Sequence, residues 1–537
     1  MDDAFLAGGG QLTAQLEHSE LQISTSNEHE RALHMEQQNS RREMIKKCLA
    51  VAATAGAAGT LSNTVLSTAN AKEANTVSTI ETFDLIIVGA GTGGLVTAIE
   101  AYDQGLKPLL IEKMDLPAGN SIYALGGVCA CGTRFQKEAG IDANKEDLFT
   151  DMMAVSAGQA DPALTRTYVE QVGGAVDWLQ DTVGLKFLKM IQMPYPFLNR
   201  LHRIDGGGIT GGGKLIRLLV AACKKRNIPL HFNTKAVELI TDSSMSVSGV
   251  RALTDNGLVD FKARGGVVIA SGGFSANSEM LTAYVGGVMA KIPLRGSPYV
   301  TGENISLAKP LFAKLVNLDQ FHCGPILAAT HVNPADALSN GHGVILDLRG
   351  KRIIDESNTY VTKARLLPVV TPENKAYILL DSRWAKAEHM VKKFTESNSP
   401  FFQDNTVEGL ANKVGLPVDA VISSVNGYNN ALKDNKLKEL TPPCSYKTPE
   451  PLDRPPYYAF PYEAGMTATF GGPKINVSAQ VVNMEDRPIN GLYAVGNAAG
   501  GLFFKDYIGG SQLAGATVFG RIAARHIAQI CKKANKA

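Results

Sequence analysis

FDLIIVGAGTGGLVTAIEAYDQGLKPLLIEK, residues 83–113, begins in an apolar run, turns on glycines and ends at an acid. The run predicts a buried β-strand, the stretch after the glycines an amphipathic helix, and the second apolar run another strand. Gly89, Gly91 and Gly94 make up G-x-G-x-x-G. The first glycine permits the tight turn, the second admits a pyrophosphate, and the third lets helix pack on strand. Glu112, eighteen residues after Gly94, stands where an acid would hydrogen-bond the ribose of an adenosine half. Strand, glycines, helix, strand and acid together predict a dinucleotide site.

The rest of the composition narrows the class by exclusion. A chain of 537 residues, 45% hydrophobic, is long enough for two or three domains. Lys+Arg 53 against Asp+Glu 51, with no basic run beyond short pairs, argues against nucleic acid as a partner. None of the seven cysteines lies in a CxxC or CxxCH pattern, which argues against a zinc ribbon, an iron–sulfur cluster or covalent haem. Cys129 and Cys131 read as a buried structural pair.

Residues 1–34 are polar and aperiodic, are expected not to fold, and read as an upstream start-site artefact. From Met35 to Ala71 the chain reads as an export signal. Ser40-Arg41-Arg42-Glu43-Met44-Ile45-Lys46 matches the twin-arginine pattern, an Ala/Gly-rich stretch follows, and Ala69-Asn70-Ala71 supplies a cleavage site. That stretch is too short and too glycine-rich to span a bilayer. The expectation is a periplasmic protein, not an integral membrane one, that acquires its cofactor before crossing.

Three further stretches fit a permanently held dinucleotide. Ala118-Gly119-Asn120-Ser121 opens a small-residue loop that ends at Gly126-Gly127, and VVIASGGF (267–274) is a strand running into Gly272-Gly273. GLYAVGNAAGG (491–501), with Asn497 in its turn, feeds KDYIGGSQLAG (505–515), which carries Tyr507, Gly510, Ser511 and Leu513. A helix is expected from Leu513 onward.

In this order, GAGTGG, the AGNS loop, HRIDGGGITGGG (202–213), ASGGF, ATFGG (468–472) and GLYAVGN…GG…VFGR resemble the flavoprotein family of fumarate reductase, the succinate dehydrogenase flavoprotein subunit and 3-ketosteroid dehydrogenase, over about residues 80–530. The resemblance implies an α/β fold: a Rossmann-like FAD-binding domain, residues 76–320 and 465–537, interrupted by an α+β capping domain at 321–464. It also implies that FAD is held by Gly89, Gly91, Gly94, Glu112, Asn120, Ser121, Gly126, Gly127, Gly272, Gly273, Asn497, Gly510, Ser511 and Leu513. The N-terminus of the last helix would face the pyrimidine ring of the flavin.

The same resemblance separates two branches. Where fumarate reductases carry two arginines and a histidine for a dicarboxylate, this chain has Tyr507, Tyr360 and Ala468. The 3-ketosteroid dehydrogenases have tyrosines at the first two positions, which implies Tyr507 on a substrate carbonyl and Tyr360 exchanging a proton with substrate carbon. A phenol can bond a neutral carbonyl without leaving a buried charge unpaired. The expected chemistry is hydride transfer between flavin N5 and a carbon β to a carbonyl. The Ser511 amide would share the oxyanion, and Lys505, Lys363 or Arg365 would favour a phenolate.

Ser511 departs from the third glycine of the steroid branch, so three readings remain open. They are an enzyme on an enone or ketone, an enoate reductase fed by a separate cytochrome or quinone-linked partner, and a non-catalytic flavin electron carrier. His322 is open between substrate binding and packing, whereas His202 and Arg203 are expected to pack at the domain joint.

Overall fold

A computed structural model describes residues 78–534 apart from 118, 191–196, 208–209 and 339–341. The N-terminal extension and the export signal lie outside the described residues. The opening stretch folds as Leu85–Val88, a helix Thr92–Asp103 and a second strand Pro108–Ile111. These strands are buried on every residue, as a parallel sheet covered on both faces demands. They occupy the middle of a six-stranded sheet in the order Gln480–Val482, Pro488–Ala494, Val267–Ile269, Leu85–Val88, Pro108–Ile111, Leu230–His231. All its neighbours are parallel except the first pair, and Leu85–Val88 pairs in strict register with Pro108–Ile111 and, at Ile86–Val88, with Val267–Ile269.

Two helices are clamped over this sheet. Thr92–Asp103 packs against the terminal helix Ser511–Ala534 through the small contact of Gly520 with the Gly93 carbonyl. The 4%-exposed Glu100 carboxylate ties them by accepting from Arg521 Nε at 2.8 Å and Arg525 Nε at 2.7 Å. A four-stranded sheet, Ser78–Phe83, Gly257–Ala263, Val247–Thr254 and Lys235–Thr241, completes this half.

A second, antiparallel sheet is built around the long strand Tyr457–Thr469. Its first half pairs with Ala376–Asp381 and Phe402–Asp404, its second with Phe321–Ile326, and Val344–Leu346 completes the sheet beyond Ala376–Asp381. The helix Tyr360–Val370 lies against it, and the two share a separate core of Phe321, Cys323, Ala364, Leu367, Phe460 and Met466, among others. Among the described residues, no helix is long and apolar enough to cross a membrane.

Candidate active site

The nucleotide end grows out of the first glycine turn. Gly89 has φ +110°, and a Cβ there would lie 2.6 Å from the Ala270 carbonyl oxygen, so only glycine fits. Gly94 abuts the Gly89 carbonyl, which seats the helix on its strand. A Cβ at Gly91 would meet only ordinary contacts, with Ser121 Oγ nearest at 3.8 Å. Glu112 accepts from Ala90 N at 2.8 Å and Met114 N at 3.1 Å, so it also latches the turn to the next strand. Burial raises its pKa against those bonds.

The other expected cofactor residues converge from four segments. Ser121 Oγ accepts from Thr92 N at 3.2 Å, at the start of the first helix. Asn120 is a strap: it donates to Thr467 O at 2.8 Å and accepts from Ser297 N at 2.6 Å, tying its loop to the antiparallel sheet. Gly126 packs on Gly211, Gly127 opens the short strand Gly127–Cys129, Gly272 lies under Val300, and Gly273 under Thr469 Oγ1. Asn497 donates to Gln512 Oε1 at 3.1 Å, and Leu513 is buried. Gly510, at φ +93°, runs so close to Gly127 and Cys129 that a Cβ would meet the Cys129 nitrogen at 2.8 Å.

The terminal helix begins at Ser511, two residues before the expected Leu513. The Ser511 amide, expected at the oxyanion, instead donates to Ile508 O at 3.0 Å, closing the turn that starts the helix. The buried Gln512 Nε2 beside it has no partner among the described residues. An uncrowded glycine at Gly91, an orphaned buried amide and the N-terminus of a 24-residue helix fit the phosphates and polar ring edge of FAD.

At the other end, Tyr360 and Tyr507 are brought together from segments far apart in sequence. Tyr360 is the first residue of its helix, whose N-cap Thr359 accepts from Thr362 N at 3.0 Å. Asp506 fixes this helix end beside Tyr507. Its carboxylate accepts from Thr359 Oγ1 at 2.9 Å, Thr362 Oγ1 at 3.3 Å and Tyr507 N at 2.7 Å. His322 stands edge-on to both phenol rings, at 5.0 Å from Tyr507 and 6.5 Å from Tyr360. His322 is 2% exposed and pairs across the sheet with Ala468.

The fields on these groups differ from expectation. Burial raises Tyr507 well above the ordinary phenol range, with Tyr360 adding to it. Burial also raises Tyr360, and the positive charge of Arg295 holds it back. Both are protonated at neutral pH. Burial, with Arg295 and Arg365 adding, drops His322 well below its ordinary value, so its ring is neutral.

None of the three cations expected to act on the phenols does so. Lys363 donates to the Glu356 carbonyl at 2.7 Å; Arg365 binds the Phe321 and Lys505 carbonyls and stacks on Phe321; Lys505 is exposed. Arg295, in a stretch without a motif, supplies the positive field on both tyrosines. The signals that could have marked it are Gly324 and Gly465, glycines inside strands, which indicate a close approach.

His202 belongs to packing. It bonds Thr133 Oγ1 at 2.8 Å and the Arg200 carbonyl at 3.1 Å, with Phe135 and Phe187 edge-on. Cys129 and Cys131 are buried free thiols, pushed up by burial to about 12 and about 11.

Comparison with known proteins agrees with this architecture. The family model described as FAD binding domain matches residues 84–518. An NADH:fumarate oxidoreductase of Klebsiella pneumoniae (strain 342) is 30% identical over 466 residues, 86% of this chain but 49% of that protein, so the chain spans about half the length of that relative. The open conformation of a flavocytochrome c3 fumarate reductase superposes with TM-score 0.71 at 27% identity, covering 84% of this chain and 78% of the other. The 3-ketosteroid delta1-dehydrogenase of Sterolibacterium denitrificans has the same fold, with TM-score 0.71 at 22% identity over 84% of this chain and 100% of the other. With its glycine cradle and helix terminus in place, the chain belongs to the FAD binding domain family and is an FAD-dependent oxidoreductase of the fumarate reductase group.

Proposed function

We propose that this chain reduces a C=C bond conjugated to a carbonyl, at a site between an antiparallel cap and the FAD-binding sheet. The observation that carries the reading is the half-buried pair of protonated phenols, one from each half, beside a neutral histidine. FAD supplies hydride exchange at its N5. Tyr507 holds the carbonyl oxygen of the substrate through its hydroxyl and stabilises the negative charge that develops there. Tyr360, raised by burial, acts as the proton donor to the carbon α to that carbonyl. Both phenols are protonated near neutrality, the state from which reduction of the C=C bond draws its proton.

The reading extends to the source of electrons. The sequence carries no haem motif, and the likeness to a flavocytochrome supports a separate cytochrome or quinone-linked donor. The twin-arginine pattern at Arg41-Arg42 supports a periplasmic location for that exchange. The test is reoxidation of photoreduced holoenzyme by a panel of enones and enoates. Reoxidation no faster than in buffer alone, with every member, rejects the reductase and leaves a flavin electron carrier.

A further inference from the structure

Pro293–Arg295 runs beside the long strand of the second sheet: Met466 N donates to Pro293 O at 2.8 Å and Arg295 N to Met466 O at 2.7 Å. The Arg295 side chain then crosses the cross-strand pair Gly324 and Gly465. A Cβ on Gly324 would lie 2.5 Å from Nη1 and 2.7 Å from Cζ, and one on Gly465 would lie 3.0 Å from the Arg295 Cβ. Two paired glycines thus form a slot that admits a guanidinium and little else.

The slot lies by the tyrosine pair: the Arg295 charge acts on His322, Tyr360 and Tyr507 alike, and His322 is edge-on to both phenol rings. His322 Nδ1 is buried and has no hydrogen-bond partner among the described residues. Arg295 spends one donor on Thr467 Oγ1 at 3.0 Å, and no carboxylate pairs with it among the described residues. A guanidinium has five N–H donors and is matched to a carboxylate bidentately. The positions that resemblance assigns to dicarboxylate anchors hold Tyr507, Tyr360 and Ala468, which bring no charge.

We propose that Arg295 and His322 form a relocated anion site, so that the substrate carries a single carboxylate held by Arg295, its C=C bond lying beside Tyr360 and Tyr507. This rests on the reductase reading and names its substrate class: a monocarboxylic enoate rather than a neutral enone or a dicarboxylate.

Binding to oxidised holoenzyme tests it without turnover, by titrating the flavin absorbance with cinnamate, its neutral isostere cinnamamide, acrylate and fumarate. Wild type is expected to bind cinnamate on the order of 10- to 100-fold more tightly than cinnamamide, and fumarate no more tightly than acrylate. Arg295→Gln should lose that preference while leaving cinnamamide affinity within about twofold, and Arg295→Lys should keep part of it. Retained FAD and an unchanged melting temperature establish that the variants are folded. Equal affinity for acid and amide, an unchanged preference in Arg295→Gln, tighter binding of fumarate, or no spectral response to any carboxylate overturns the proposal. Carboxylate-selective binding without reduction of any C=C bond keeps the anion site and removes the reductase reading. Reduction of a neutral enone at a rate indifferent to Arg295 does the reverse.

Discussion

Tyr360 and Tyr507 both flank His322 yet should fail differently. Removing the Tyr507 hydroxyl takes away the group that stabilises charge on the carbonyl oxygen, so Tyr507→Phe should lower turnover on the order of 10²–10³ with FAD still bound. Tyr360→Phe removes the proton donor and should cost on the order of 10²–10⁴. The pH profile separates them. A donor works while protonated, and both phenols lie above their ordinary value of 10.0, so the wild-type rate should be level through neutrality and fall only in the alkaline range. That alkaline limb should vanish in Tyr360→Phe; wild-type rates in both variants would mean the phenols only line the site. Both tyrosines were legible in the sequence because they sit inside motifs. Arg295 and Asp506 were not: the place of Arg295 depends on the register that sets Gly324 opposite Gly465, and that of Asp506 on a helix end more than a hundred residues away.

At the scale of elements, the Glu100 triad holds the helix Thr92–Asp103 to Ser511–Ala534, and the residues proposed for FAD include the N-terminal ends of both helices. Burial works to raise the Glu100 carboxyl, but its bonds to Arg521 and Arg525 outweigh this and lower it below 4.5. The triad therefore stabilises the fold fully above pH 4.5, and its contribution is lost as pH falls through the lowered value. Glu100→Gln leaves two guanidiniums without their carboxylate and should cost about 3 kcal/mol at neutral pH. Urea denaturation should show the gap to wild type narrowing on acidification below the ordinary carboxylate range; a gap independent of pH would exclude the charge as its cause. The dinucleotide strands and both of these helices could be read from period and glycines. The antiparallel sheet could not, because Tyr457–Thr469 borrows three separate partners, and local sequence carries no record of pairing.

At the scale of the molecule, two predictions concern how the chain is delivered and held together. Replacing Arg41 and Arg42 by Lys should trap the precursor in the cytoplasm, as fractionation would show, while unchanged export would remove the twin-arginine assignment. The second concerns the cofactor itself. The residues assigned to FAD run from Gly89 to Leu513, through the first helix, the Asn120 loop, two strand-ends of the parallel sheet and the terminal helix. A ligand that touches all of these binds only when they are assembled, so its binding energy becomes folding energy. Stripping FAD should therefore lower the melting temperature, and titrating it back should restore stability by about 2.7 kcal/mol when free FAD reaches roughly 100 times its dissociation constant. The sequence shows no His or Cys attachment motif, so the yellow colour should leave with the supernatant after denaturation. Gly91→Val puts a branched side chain on the turn proposed to admit the pyrophosphate and should yield colourless protein with the melting temperature of the stripped form. Colour that stays on the denatured pellet would mean a covalent flavin, and a melting temperature indifferent to free FAD would mean that the two halves are joined by their own contacts, such as the Asn120 strap, without help from the cofactor.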